Sequence, residues 1–423
     1  MSSEQEVYNL ADEQEEAVER ILNMKERAII LTGCAGSGKS FVVKHLLSKY
    51  PTKFSVCSTT ARSALLVGGC TVDRMFSFSR QTWEFRTSSL SKSMEQSNPY
   101  IIIDEASMVG KHMADLIAKA AQSFKKKVIL VGDWAQAKPV KDKWPFASKL
   151  FDDVDVINLQ VNHRQADGEY LDRLNEIRRG ELTEEVETFF SGLEVGGDTE
   201  IPGAVKLFAV NSHVDEYNLK KLLDHVNGDK AMIVTADAAF KDQRAAQVQE
   251  RYPFDTFRVN KILAECPLAH EESFAKGCRV MITHNIWNIE HGIIAANGDT
   301  GVLKTNPCEC DGKSMKVLLD RTNKVVVVPE VRLMSKNPAG QVEYNVEGLP
   351  LRLGYAVSIH KSQGMTLLKV DVDLASILRH PEGSRHGLAY VALSRTTTAA
   401  GLTVRNWDSD VIRTDELVLP FIA

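Results

Sequence analysis

The chain is expected to fold as an α/β protein of two parallel-sheet domains, with a small insertion in the first and a β-rich insertion in the second. Three observations predict this. From Arg27 to Gly132, apolar runs alternate with helix-like stretches, the pattern of parallel βαβ units. Between residues 278 and 345 the pattern changes to short strands separated by Gly, Asn and Asp turns. At 423 residues, the chain is too long for one ordinary core.

The first unit reads as strands at "RAIIL", "KFSVCS", "YIIID" and "KVILVG", with helices at 12–23, 39–49, 60–67 and 110–122. The polar stretch "SRQTWEFRTSSLSKSMEQS" interrupts the alternation and reads as a small insertion. In the second unit, "VKLFAV" and "AMIVTA" are strand-like, and each precedes a helical pattern. "CRVMITHNI", "GVLKT", "SMKVLLD" and "NKVVVVP" form the β module. The α/β pattern returns with "RLGYAVSIHK", "KVDVDL" and "GLAYVALSR". No internal repeat or low-complexity tract occurs, and the lysine run at 125–127 reads as a solvated turn.

A net charge of −5 argues against a protein that coats DNA non-specifically, although a local groove can be positive on an acidic molecule. The seven cysteines are scattered and read as reduced core thiols of a cytoplasmic-type compartment. Cys308 and Cys310 form a lone C-x-C without a partner pair, a poor zinc signal. The acidic N-terminus lacks the apolar region of a signal peptide, and no apolar run approaches the ~20 residues of a membrane span.

Chemistry concentrates first at "LTGCAGSGKSF". The spacing Gly33, four residues, Gly38-Lys39-Ser40 fits G-x-x-x-x-G-K-[ST] between a strand and a helix. Gly33, Gly36, Ser37 and Gly38 let backbone N–H groups curl around an anion, and the helix N-terminus adds partial positive charge. Lys39 would reach the β- and γ-phosphates of ATP, and the Ser40 hydroxyl would ligate Mg²⁺. "IIIDEAS" ends an apolar strand with two carboxylates. Asp104 stands where such a site needs a Mg²⁺ ligand, and Glu105 where an attacking water must be oriented. The same pair also suits a helix cap.

"LVGDWAQAKPV" brings Asp133 and Gln136 to another strand tip, where a glutamine can sense the γ-phosphate. Gln14 can read adenine with an amide that both donates and accepts, or lie on an exposed helix face. Arg164 and Arg395 come from the second half. A guanidinium supplied across an interface accelerates phosphoryl transfer by ~10³-fold or more, while a surface ion pair is the alternative. "YAVSIHKSQGMT" joins an apolar, helix-like segment to a donor-rich cluster able to grip a phosphate backbone. No G-x-S-x-G elbow supports a Ser-His hydrolase.

In this order the pieces resemble the superfamily 1 helicases of the B group, which includes RecD, the phage helicase Dda and the Pif-type helicases. The likeness runs through Gln14, "GCAGSGKS", "STTARSALLVGGCTVDRMF", "IIIDEASMV", "GDWAQAKPV", "NHRQ", "LPLRLGYAVSIHKSQGMT" and "GLAYVALSRTT". It is closest to the Pif-type and Dda-like members through "SIHKSQG" and "YVALSRT". It implies two RecA-like domains with ATP between them and single-stranded DNA across their top, moving 5′-to-3′. It implies a first motor domain at 1–75 and 99–150 and a wedge-bearing insertion at 76–98. It implies a second motor domain at 151–285 and 347–423, with an SH3-like insertion at 286–346. Thr59, Thr60, His360, Lys361 and Ser362 fall in DNA-contacting motifs, and Gly364 and Arg395 near the γ-phosphate.

Three departures stand out. A histidine of the family pattern is Asp73 here, and a carboxylate repels a phosphate, so Arg74 is the expected substitute. Ala137 replaces the leucine of G-D-x-x-Q-L-x-P-V. The insertion at 76–98 is short, and its available wedge aromatics are Trp83 and Phe85, which either stack on bases or pack a hairpin. The expected activity is an ATP- and Mg²⁺-dependent DNA helicase of a bacterial or phage-infected cytoplasm. It would act as a monomer on single-stranded and forked DNA beside replication or single-strand-binding proteins, without a membrane. An RNA helicase and a P-loop switch for a protein partner are the rivals.

Overall fold

The apolar runs of the first third become strands buried on both faces. In this computed structural model the described residues are 10–422, except 35, 80–81, 137, 140–141, 163–167, 198, 228–233, 244–255, 289–291, 306–312 and 381–383. Arg164, Ala137, Cys308 and Cys310 therefore lie outside the described residues. Six parallel strands form the first sheet in the order Cys70–Thr71, Phe54–Ser58, Tyr100–Asp104, Lys127–Val131, Ala28–Gly33, Val154–Leu159. Ile30, Ile101, Ile103 and Leu130 pack on one face, and Ile29, Leu31, Ile102, Ile129 and Val131 on the other. Burial on both faces is why these strands read as continuous aliphatic runs. Each such side chain contributes roughly 1.5–3 kcal/mol. The helices Asp12–Leu22, Lys39–Lys49, Ala61–Leu66 and Lys111–Ser123 fall where the periodicity puts them.

The boundary expected at residue 150 moves. Val154–Leu159 pairs in parallel with Ala28–Gly33, so the first sheet closes only after Leu159. The sequence disguises this edge strand with polar positions such as Asp155, whose carboxylate pairs with Arg20 at 2.7 Å. The second sheet is parallel, in the order Ala356–Ser358, Val205–Phe208, Val370–Asp373, Leu402–Arg405. "YAVS" is thus a strand and not a helix. Its outer edge is closed by Asn218, whose amide exchanges hydrogen bonds with the Ala356 backbone at 2.8 and 3.0 Å. Of "AMIVTA", Val234–Ala236 is a strand outside this sheet, paired antiparallel to Glu272–Phe274.

The β module is wider than 286–346. Its five-stranded sheet includes Arg279–Ile282 and Leu351–Leu353, and a three-stranded sheet recruits Ala239–Asp242. Its ends are legible only through pairing partners far along the chain. In the first domain, residues 76–98 form a short hairpin, Phe78–Ser79 with Glu84–Phe85, and the helix Thr87–Gln96. The module touches the first domain through an apolar contact in which Leu65 packs with Ile262, Leu263, Leu333, Tyr344 and Val346. Among the described residues, no helix is long and apolar enough to cross a membrane.

Candidate nucleotide and nucleic-acid site

The glycine loop takes the conformations its sequence requires. Gly36 and Gly38 have φ of 95° and 87°, and a Cβ on Gly33 would stand 2.5 Å from Ser37 Oγ and 2.6 Å from Leu159 O. Only glycine suits such positions. Lys39 opens the following helix, and its Nζ donates to Gly33 O at 2.7 Å and Cys34 O at 2.9 Å. Burial lowers the Lys39 pKa, while the Asp133 carboxylate opposes that shift. Ser40, one residue on, is exposed.

Asp104 and Glu105 lie at the tip of Tyr100–Asp104. Glu105 has φ of 53°, an unfavourable left-handed conformation for a residue with a side chain. Two hydroxyls brace this turn from the neighbouring strand: Ser58 Oγ donates to Asp104 O at 3.1 Å, and Thr59 Oγ1 donates to Glu105 O at 3.2 Å. Burial raises both carboxyl pKa values, and at Glu105 the adjacent Asp104 raises it further. Lys39 and Arg395 favour the charged form of Glu105. Carboxylate and hydroxyl oxygens are the hard donors that Mg²⁺ prefers, and one or two carboxylates beside phosphates are its usual protein share. Ser40 and Asp104 fit that description.

Asp133 and Gln136 follow the next strand, Lys127–Val131, and both are buried. Gln136 Nε2 donates to Asp133 Oδ2 at 3.4 Å, and the Ala135 N–H donates to Oδ1 at 3.2 Å. Gln14 is buried and not on an exposed face. Its Oε1 accepts from the Ala11 N–H at 3.1 Å, so the amide is held at the start of its helix.

In the second domain, Gly364 has φ of 75° and open space around it. Arg395 is fully buried, which excludes the alternative of a surface ion pair. It donates to the carbonyls of Val391 at 2.6 Å and Ser362 at 3.1 Å and to Ser394 Oγ at 2.7 Å. It thereby ties the Ser362–Met365 turn to the helix Leu388–Leu393 while remaining close enough to Glu105 to stabilise its charge.

The residues expected on the strand path divide. His360 and Lys361 are exposed at the tip of Ala356–Ser358. Ser362 points inward, fully buried, and donates to Ile359 O at 2.7 Å. Thr59 is also buried, spent on the Glu105 turn, and Thr60 caps its helix by accepting from the Ser63 N–H at 3.1 Å. Arg74 is paired with Glu343 of the β module, its Nε 3.3 Å from Oε2. Trp83 lies stacked between Phe78 and His112, with ring centroids at 6.1 and 5.5 Å, and Lys119 lies over Phe85 at 5.8 Å. Both aromatics dock on the helix Lys111–Ser123.

A family model described as an AAA domain matches residues 9–192. The ATP-dependent DNA helicase Pif1 of Bdellovibrio bacteriovorus is 28% identical, covering 93% of this chain and 87% of that protein. The human ATP-dependent DNA helicase PIF1 is 27% identical over 98% of this chain, which spans 63% of that longer protein. The Candida albicans Pif1 helicase structure has a TM-score of 0.68 at 25% identity, covering 98% of this chain and 99% of that one. Bacteroides sp Pif1 with ADP-AlF4 superposes with a TM-score of 0.80 at 21% identity, covering 98% and 96%.

Over nearly its whole length the chain is similar to the Pif1-like helicases of superfamily 1B.

Sequence reasoning missed two buried side chains that pack against the segment Asp133–Trp134. Arg178, in the helix Gly168–Arg179, forms a buried ion pair with Asp133 at 3.2 Å. His386 places Nε2 2.9 Å from Trp134 O and accepts from the Asp415 N–H at Nδ1, also at 2.9 Å. The one signal for either was its position beside a motif, Arg178 in "NEIRRG" and His386 just before "GLAYVALSR".

Proposed function

We propose that this chain couples ATP hydrolysis to 5′-to-3′ movement on single-stranded DNA and so unwinds duplex and forked DNA. The observation that carries this reading is the joining of two sites by one side chain. Arg395 holds the turn that bears His360 and Lys361, while its charge acts on Glu105 beside the glycine loop. ATP bound at Gly33–Ser40 would exchange the Lys39 contacts to Gly33 O and Cys34 O for phosphate oxygens. Mg²⁺ held by Ser40 and Asp104 would supply charge neutralisation at the phosphates. Glu105, with a raised pKa, suits the orientation and deprotonation of water, because a general base works best near the ambient pH. Lys39 would stabilise charge spreading over the γ-phosphoryl group.

His360 and Lys361 are exposed and are the proposed grip on a strand. The structure of Bacteroides Pif1 bound to ssDNA, and that of two coordinating Pif1 helicases at forked dsDNA, support DNA as the track. The chain would act as a monomer in the cytoplasm beside replication or single-strand-binding proteins.

The test is unwinding of duplexes bearing a 5′ or a 3′ tail, with and without ATP. ATP-dependent unwinding confined to the 5′-tailed substrate is expected. Turnover stimulated by RNA and not by DNA, or independent of either, would overturn the reading in favour of an RNA helicase or a nucleotide switch.

A further inference from the structure

Arg178 is supplied to the first domain by the second. Its helix, Gly168–Arg179, rides on the helix Leu388–Leu393 and the segment after it, with Tyr170 bonded to Leu393 O and its hydroxyl 2.8 Å from Thr396 Oγ1. From there the guanidinium reaches across to Asp133, its Nε donating to Oδ1 at 3.2 Å. Its Nη1 donates to the carbonyl of Ile422, in the C-terminal segment that also packs on the first domain. In that segment Asp415 accepts from Trp144 Nε1 at 2.6 Å, and Phe421 stacks on Phe146 at 4.3 Å.

Arg178 is only 6% exposed, and its Nη2 faces Asp133 Oδ1 at 3.2 Å as an ion-pair contact without hydrogen-bond geometry. A guanidinium and a carboxylate in such a place pay a desolvation cost that their attraction barely repays, so an apolar pair would serve folding as well. Asp133 also receives the Gln136 amide and the Ala135 N–H, one strand tip away from Lys39.

We propose that Arg178 is a positioning residue for ATP hydrolysis: reaching from the second domain, it orients Asp133, and through Asp133 the Gln136 amide, toward the γ-phosphate. Withdrawal of the second domain then loosens Gln136 before any catalytic group has left the first domain. The inference rests on the reading of the chain as an ATP-driven motor. An inactive parent would remove that reading, whereas this inference is judged only on differences from an active parent.

The experiment compares parent, Arg178→Lys and the double variant Arg178→Met with Asp133→Leu, reading thermal melting, KM for ATP and DNA-stimulated kcat. Lysine keeps the charge but not the fork that spans Asp133 and Ile422. The expected result for Arg178→Lys is a KM within ~3-fold of the parent and a kcat lowered ~10-fold or more, the pattern of an interaction made in the transition state. The apolar double variant should melt near the parent and still lack kcat. If either folded variant turned over ATP within ~2-fold of the parent, Arg178 would be a structural residue only and the proposal would fall.

Discussion

Gly387 presses so closely on Gln136 that a Cβ on the glycine would stand 2.6 Å from the Gln136 carbonyl oxygen. Gly387 begins the helix Leu388–Leu393 of the second domain, with φ of 69°, and Gln136 follows the strand Lys127–Val131 of the first. The two motor domains therefore meet backbone to backbone at this point. Gly387→Ala adds a left-handed penalty of roughly 1–2 kcal/mol, and the clash must also move a backbone. Lowered thermal melting with weakened DNA stimulation of ATP turnover is expected. Unchanged melting would show that the contact yields easily and is no junction.

Lys39→Ala removes the side-chain charge of the phosphate cradle. ATP turnover should fall by ~10²-fold or more, since the loss is transition-state electrostatics. DNA binding without nucleotide should persist, because Lys39 is bonded to its own loop. A steady-state assay beside a DNA titration checks both halves, and near-parental turnover would remove Lys39 from the site.

Glu105→Gln keeps the size and polarity of a side chain on a strained turn while deleting its carboxylate. Nucleotide should still bind and hydrolysis should stall. Equilibrium binding of a fluorescent ATP analogue separates the two effects. A collapse of affinity would mean that Glu105 serves the metal or the fold and that another group positions water.

What the sequence made legible was local. The strand, glycine loop and helix around Lys39 are contiguous, and each dictates the next, so both spacing and conformation could be read. The same holds for the two-faced aliphatic strands. The relationships that were not legible join distant residues. Arg74 meets Glu343 and Arg178 meets Asp133 through tertiary packing, which no window of sequence contains. Ser362 and Thr59 belong to donor-rich motifs, yet their hydroxyls are consumed by nearby carbonyls. Composition identifies a donor but not its direction. The edge strand Val154–Leu159 was misassigned for a related reason, since its polar positions face Arg20 and solvent and break the aliphatic run.

His386 makes the domain junction sensitive to acid. Its ring is buried, with Nδ1 accepting from the Asp415 N–H and Nε2 facing Trp134 O. Burial lowers its pKa; Lys138 acts in the same direction, while the Trp134 carbonyl and the Asp415 and Asp133 carboxylates oppose it. The unfolded chain then binds more protons below the free histidine value of about 6.5, so stability falls as pH drops through that value toward the folded pKa. His386→Gln can keep one donor and one acceptor without titrating. Melting of the parent should decline more steeply than that of this variant between pH 7 and pH 5.5 (roughly the window set by histidine). Parallel declines would assign the acid sensitivity to other groups.

Lys361 is the residue on which the proposed grip of a net-acidic chain on a strand can be tested. With Arg74 paired to Glu343 and Ser362 turned inward, the grip has fewer donors than the motifs advertise. On the proposed reading, exposed cations such as Lys361 supply the electrostatics. On single strands each neutralised phosphate contributes ~0.7 to the slope of log K against log [salt], so a slope on the order of two to four is expected. Lys361→Ala should reduce that slope by a little under one unit and weaken binding to all single-stranded sequences alike, because a phosphate contact carries no base information. Basal ATP turnover without DNA should be nearly unchanged, since Lys361 is assigned to the strand and not to the nucleotide. Any remaining affinity at high salt would then come from hydrogen bonds and stacking, the latter worth ~1–3 kcal/mol per base where an aromatic is free to stack. Trp83, wedged between Phe78 and His112, must leave that stack before it could contribute. Titration of fluorescent single strands at several salt concentrations measures the slope directly. An unchanged slope in Lys361→Ala would take this lysine off the DNA path and move the grip away from the tip of Ala356–Ser358.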